Sequence, residues 1–228
     1  MEVVPMCRVL LILIAGLGML AGWARAAADV FPPGVIIEPT PERFSVCYTG
    51  GCDTVARMGL SASQRRQVDA LFTPLPRGPE AERERIAAAV GLFERITGEA
   101  LGTNRDLGGT FAGLGRAGQM DCIDESVNTT TYLHLLSRMG LLRWHTVEDR
   151  VTRGFFLFGW PHTTAVIRDT SDNRRYAVDS WFEANGIPPY IVPLPRWRDG
   201  WRPAAVQAPG PGTADATAGR MRGSKGGP

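Results

Sequence analysis

Of the four cysteines and three histidines in the 228-residue chain, one combination has the placement that nucleophilic chemistry requires. Cys122 follows a glycine-rich stretch, 102–118, and opens a segment running to about Met139 that reads as a helix, with Gly140 as its C-terminal stop. Unpaired N–H groups and the positive dipole end at a helix start favour a thiolate. A thiolate attacks acyl carbon well, but needs an imidazole to pair with it and later protonate the leaving group. His134 lies on the same helix, about 18 Å further along at ~1.5 Å per residue, and is read as a packed or surface residue. His145, in Leu-Arg-Trp-His-Thr-Val, faces either side of its strand and is the lesser candidate. His162 begins a strand after Trp160-Pro161, a rim position on a rigid element, and is the stronger one.

A third group should accept the other imidazole N–H. Asp179 ends the run Tyr176-Ala-Val-Asp, and a hairpin centred between residues 171 and 172 sets residue 162 opposite 181. Asp179 is then a diagonal neighbour of His162 on the same face. Asp169 and Asp172 fall in the turn and should point away.

The remaining cysteines agree with an oxidising compartment. Cys47 and Cys52, in Cys-Tyr-Thr-Gly-Gly-Cys, are read as a small disulfide ring, since a metal site needs further ligands that no histidine is spaced to supply. Cys122 is left as the odd cysteine. Arg8, the apolar run Val9–Leu20 and an Ala-rich close read residues 1–28 as an export signal, with an uncleaved anchor as the alternative. Cys7 precedes the apolar run, so this is not a lipoprotein signal. The expected location is periplasmic or secreted.

Positioning elements follow from periodicity. Residues 29–78 form an N-terminal extension holding the Cys47–Cys52 loop and a short helix opened by the capping box Ser61-Ala-Ser-Gln64. Pro79 starts a long helix to about Leu101, with Ile86, Val90, Phe93, Ile96 and Ala100 on its apolar stripe. Strands are expected at Leu141–Val147, Val151–Phe158, His162–Arg168, Arg175–Asp179 and Tyr190–Val192. Helices followed by strands argue for an α+β fold on an antiparallel sheet, spanning 79–202, with a disordered tail at 203–228. Trp144, Trp160, Trp181, Trp197 and Trp201 line a groove or pack against the core. Asn128-Thr-Thr matches a glycosylation sequon, but within the expected helix. Hydrophobic residues make up 44% and charged residues 21%, at a net charge of +2, which excludes fibrous and wholly disordered chains and gives no basic field for nucleic acid.

The order Cys, His, Asp, with Cys opening a helix and His and Asp on neighbouring strands, resembles the transglutaminase-like branch of the papain-like superfamily. Asp121-Cys122-Ile123-Asp124 is similar to the Asp-Cys-x-Asp signature of bacterial transglutaminase-like cysteine peptidases, periplasmic enzymes that cleave surface proteins. Trp160-Pro-His162 and Val178-Asp-Ser-Trp181 stand where that fold keeps its His and Asp blocks, so the resemblance covers about residues 80–195. It implies Cys122 as nucleophile, His162 as acid/base and Asp179 as orienting carboxylate. Gln119 would join the Cys122 N–H in an oxyanion hole. Some relatives bind calcium through acidic residues near the cysteine. Asp121, Asp124 and Glu125 would do so here, against a reading as helix-start charges, and no metal or cofactor is assigned.

The expectation is an exported thiol hydrolase that cleaves peptide or amide bonds of cell-envelope substrates. The same triad passes an acyl group to an amine in a transglutaminase. Competing with both are a non-catalytic peptide- or envelope-binding module and a structural domain in which Cys122 is only a small apolar residue.

Overall fold

The computed structural model describes residues 31–110, 116–154 and 161–204. The expected signal at 1–28, Trp160 and nearly all of the tail lie outside the described residues.

Strands β1 (Phe44–Tyr48) and β2 (Thr54–Met58) form an antiparallel hairpin, closed by the Cys47–Cys52 disulfide. Helix α1 (Ala62–Leu71) starts at Ser61, whose hydroxyl accepts from Gln64 N while the Gln64 side chain returns a bond to Ser61 N, a reciprocal cap. Helix α2 (Pro79–Leu101) has proline at its first position and ends at Gly102, where φ is +80° and a side chain would be strained. Helix α3 (Cys122–Arg138) then begins at the candidate nucleophile.

Four antiparallel strands follow in the order β3 (His145–Arg153), β4 (His162–Asp169), β5 (Arg175–Asp179) and β6 (Tyr190–Pro193), and a short helix α4 (Leu194–Arg198) comes directly after β6. The architecture is therefore mixed helix and antiparallel sheet. Alternation along the strands places Ala165, Ile167, Tyr176 and Val178 toward α2 and α3, where they pack with Ile86, Phe93, Leu133 and Leu136. Phe93 and Tyr132 stack at 5.0 Å between the two helices. The opposite face carries Val166 and Ala177 against Leu194 and Trp197 of α4.

Two local readings are revised and one is extended. The expected strands Leu141–Val147 and Val151–Phe158 meet in one strand, β3, over His145–Arg153, because Glu148-Asp149-Arg150 forms a bulge rather than a turn; pairing shifts there between Glu148–Val166 and Val151–Thr164, and residues 155–158 lie outside the described residues. The Cys47–Cys52 segment, read as a small disulfide ring, has that bond and is also the turn of the β1–β2 hairpin. The N-terminal extension also shares the main core, since Phe44, Val46, Val68 and Phe72 pack in the same cluster as Ile86 and Leu133.

Candidate functional site

Cys122 is the first residue of α3, and Asp121 caps that helix. The Asp121 Oδ1 accepts from the N–H groups of Ile123 at 2.9 Å and Asp124 at 3.0 Å, while the Asp124 Oδ2 accepts from Asp121 N at 3.2 Å. Glu125 N bonds to Asp121 O, which leaves the N–H of Cys122 itself as the amide of the first turn that the cap does not claim among the described residues. The cysteine is 7% exposed, and its Sγ lies 4.0 Å from the carbonyl oxygen of Pro161. Burial pushes the Cys122 thiol up to about 11, opposed by the N–H of Thr163 and reinforced by the nearby charges of Asp121 and Asp179. The dipole-stabilised thiolate expected from the helix-start position is thus not the resting form. Desolvation outweighs the helix terminus, and the site holds a protonated thiol at neutral pH.

The β4–β5 register pairs Ala165 with Val178 and Arg168 with Arg175, the register of a hairpin centred between residues 171 and 172. It brings the ends of the two strands together beside α3. His162 Nε2 lies 2.8 Å from Asp179 Oδ2. A carboxylate only accepts, so Nε2 carries the hydrogen and Nδ1 offers a lone pair. That Nδ1 is buried and has no hydrogen-bond partner among the described residues. Trp181, Phe182 and Trp197 surround the imidazole with ring centroids at 4.9, 5.3 and 5.5 Å. Trp181 and Phe182 also form the apolar wall against Cys122, backed by Ile123, Tyr190 and Trp201.

Trp197 is fully buried and its indole N–H donates to Asp179 Oδ2 at 2.6 Å. It therefore supports the carboxylate from behind rather than lining a groove. Composition alone does not separate this tryptophan from the others. Arg153, the strand partner of His162, lies over the outer face of that indole at 4.3 Å. Gln119, expected to help bind an oxyanion, instead holds the preceding loop: its Nε2 donates to Arg105 O at 2.7 Å and its Oε1 accepts from Leu107 N at 3.3 Å. A short carboxamide three residues before the helix meets the nearer loop backbone first. The same loop is pinned to the sheet end by Gly109 N donating to Trp181 O at 2.6 Å. Gly108 permits that approach, because a Cβ there would lie 2.5 Å from Glu183 Cα.

The other histidines are elsewhere. His145 pairs with Asp169 at the far end of β4, and its Nδ1 meets Glu82 Oε1 at 2.9 Å in a buried contact that ties β3 to α2. His134 is half-buried on α3, and desolvation together with Arg138 holds its pKa below the ordinary value.

Behind the triad, α2, α3 and the loops bury several carboxyl groups. Ser180 Oγ donates to Glu125 Oε2 at 2.8 Å, Gly186 N donates to Glu94 Oε2 at 2.9 Å, and Met120 N donates to Asp106 Oδ1 at 2.7 Å. Desolvation raises Glu94 to about 8, Asp106 to about 7 and Asp124 to about 6, and moves Glu125 in the same direction. Among the described residues no group of three or more His, Cys, Asp or Glu side chains is arranged to hold a metal ion. The carboxylates of Asp121 and Asp124, considered for calcium, are instead occupied by backbone amides of α3 and of the disulfide turn.

Comparison with protein-family models, with curated proteins and with solved structures returned no match for this chain. No helix of the described residues is long and apolar enough to cross a membrane.

Proposed function

We propose that this chain is an exported thiol hydrolase acting on peptide or amide bonds, with Cys122 as nucleophile, His162 as general base and acid, and Asp179 as orienting carboxylate. The observation that carries this reading is the 2.8 Å His162–Asp179 contact, which leaves the other imidazole nitrogen without a hydrogen-bond partner among the described residues, beside the wall that holds Cys122. In the proposed sequence the Cys122 S–H passes its proton to His162 Nδ1 as sulfur attacks the carbonyl carbon. The N–H of Cys122, which the helix cap leaves unused among the described residues, faces the oxyanion. The imidazolium returns the proton to the leaving amine, and water activated by the same nitrogen releases the acyl group. The resemblance to transglutaminase-like cysteine peptidases agrees with this order of residues, and an amine in place of water in the last step gives acyl transfer.

A second reading is favoured by the 7% exposure of Cys122 and its raised thiol pKa: a peptide-binding module that keeps the constellation without turnover. Peptide-library digestion by the chain lacking residues 1–28, read by mass spectrometry, separates the two. Cleavage that disappears in Cys122→Ala supports the hydrolase. Uncleaved peptides, combined with alkylation of Cys122 that is unaffected by His162→Ala, would leave the binding module.

A further inference from the structure

The turn of the β1–β2 hairpin is joined to the start of α3 by an unusually complete set of hydrogen bonds. Gly50 N donates to Asp124 Oδ2 at 2.7 Å, Gly51 N to Asp121 Oδ2 at 2.8 Å, and Cys52 N to Asp124 Oδ1 at 2.7 Å. Three successive amides thus converge on the two carboxylates that flank Cys122 in sequence. Convergence requires an uncommon backbone, with φ of +78° at Thr49, +86° at Gly50, +62° at Gly51 and +62° at Cys52. Glycine adopts such angles freely, whereas Thr49 and Cys52 do not. The Cys47–Cys52 bond spans this turn and closes it into a ring. Cys47 is held independently, since its N–H and C=O bond to the Asn128 carboxamide at 2.7 and 2.8 Å.

We propose that the oxidised Cys47–Cys52 ring positions the start of α3, and that the reactivity of Cys122 therefore depends on the redox state of this ring. A dithiol reductant supplies two electrons and two protons: the S–S bond breaks, two thiols form, and the dithiol leaves as its cyclic disulfide. Without ring closure, Thr49 and Cys52 relax toward negative φ and their neighbours' amides turn away. Asp124, fully buried, keeps only the Asp121 N–H of its three donors, and Asp121 loses the Gly51 N–H. A buried carboxylate that loses its donors is costly, so Asp124 and the first turn of α3 leave the alignment that the turn amides hold. The Asp121 charge beside Cys122 is also less neutralised, which disfavours the thiolate formed during attack. Because Asn128 still holds Cys47, the change is confined to the turn and the first turn of α3.

The proposal rests on Cys122 being the reactive thiol, but its readout is alkylation rather than turnover. Iodoacetamide labelling of Cys122, resolved by peptide mass spectrometry, is compared in the oxidised protein, in protein reduced with dithiothreitol and desalted, and in Cys47→Ser/Cys52→Ser. Loss of the ring should slow Cys122 labelling roughly three- to tenfold, with far-UV circular dichroism unchanged. In parallel, amide exchange at residues 50–52 and 123–125 should rise at least about tenfold on reduction. Unchanged labelling and exchange, faster labelling, or global unfolding on reduction would each overturn the positioning role. Unreactive Cys122 in every state, with exchange still dependent on the ring, would sink the hydrolase and leave the mechanical coupling standing.

Discussion

Trp197 and His162 meet on a single oxygen: the indole N–H donates to Asp179 Oδ2 at 2.6 Å and the imidazole Nε2 at 2.8 Å. Asp179 therefore does not hold the imidazole alone. The indole fixes the carboxylate, and its ring also lies 5.5 Å from the imidazole centroid, so it limits rotation of both partners. Trp197→Phe keeps an aromatic ring at the position but deletes the N–H and part of the buried indole. The expected outcome is a loss of about 2–4 kcal/mol of stability from the hydrogen bond and the cavity together, with Cys122 alkylation slowed by roughly fivefold and its pH profile shifted. A change in melting temperature with an unaltered alkylation profile would make Trp197 a packing residue only.

Cys122→Ala should leave the fold in place, because the side chain is small and contacts the apolar wall of Trp181 and Phe182. The melting temperature is expected to change by no more than about 4 °C, corresponding to ~1 kcal/mol. Turnover of any substrate found for the parent chain should vanish in this variant. Retained turnover would remove Cys122 from the chemistry.

The thiol itself gives a pH prediction. Burial pushes Cys122 up to about 11, so labelling at pH 7 should be slow and should rise toward pH 11. Peptide binding that expels water and aligns His162 Nδ1 replaces this uncatalysed route by proton transfer within the site. A peptide aldehyde, which adds to an activated thiol, should therefore bind wild type at least about tenfold more tightly than His162→Ala. Equal binding to both would separate His162 from nucleophile activation.

Buried carboxyl groups should give the protein an acidic stability optimum. Folding raises Glu94 from 4.5 to about 8, Asp106 from 3.8 to about 7 and Asp124 from 3.8 to about 6, each mainly through desolvation. Each group binds its proton more tightly when folded, so its contribution is fully present below pH ~4 and is lost as pH rises through 6 to 8. Melting temperature should fall by several degrees between pH 5 and pH 8.5 (about 5 °C or more). Glu94→Gln, which preserves an acceptor for Gly186 N, should flatten the upper part of that fall. A melting temperature that is constant or rises over this range would contradict the assignment.

Much of the scaffold is legible in the chain before any folding. The capping box at Ser61, the proline that starts α2, Gly140 just after α3 and the hairpin register around residues 171 and 172 are local signals, each set by residues close in sequence. So were the pairing of Cys47 with Cys52 and the chain order that places Cys122 at a helix start and His162 and Asp179 on adjacent strands. Local signals also misled where a charged run, Glu148-Asp149-Arg150, bulged instead of turning, because the neighbouring strand offered a continuous ladder on both sides.

Tertiary structure decided what surrounds those residues. Desolvation is a property of the packed molecule, so the dipole at the start of α3 gave no warning that Cys122 rests as a thiol. Gln119 pairs with loop backbone that sequence cannot place, and Trp197 becomes a support for Asp179 only because α4 packs across the outer face of the sheet. Likewise Asp121 and Asp124 form a local cap by sequence, yet their remaining oxygens meet the amides of residues 50–52 some seventy residues away in the chain. Spacing fixes which side chains share an element; only the closed core determines which of them lose water and which partners replace it.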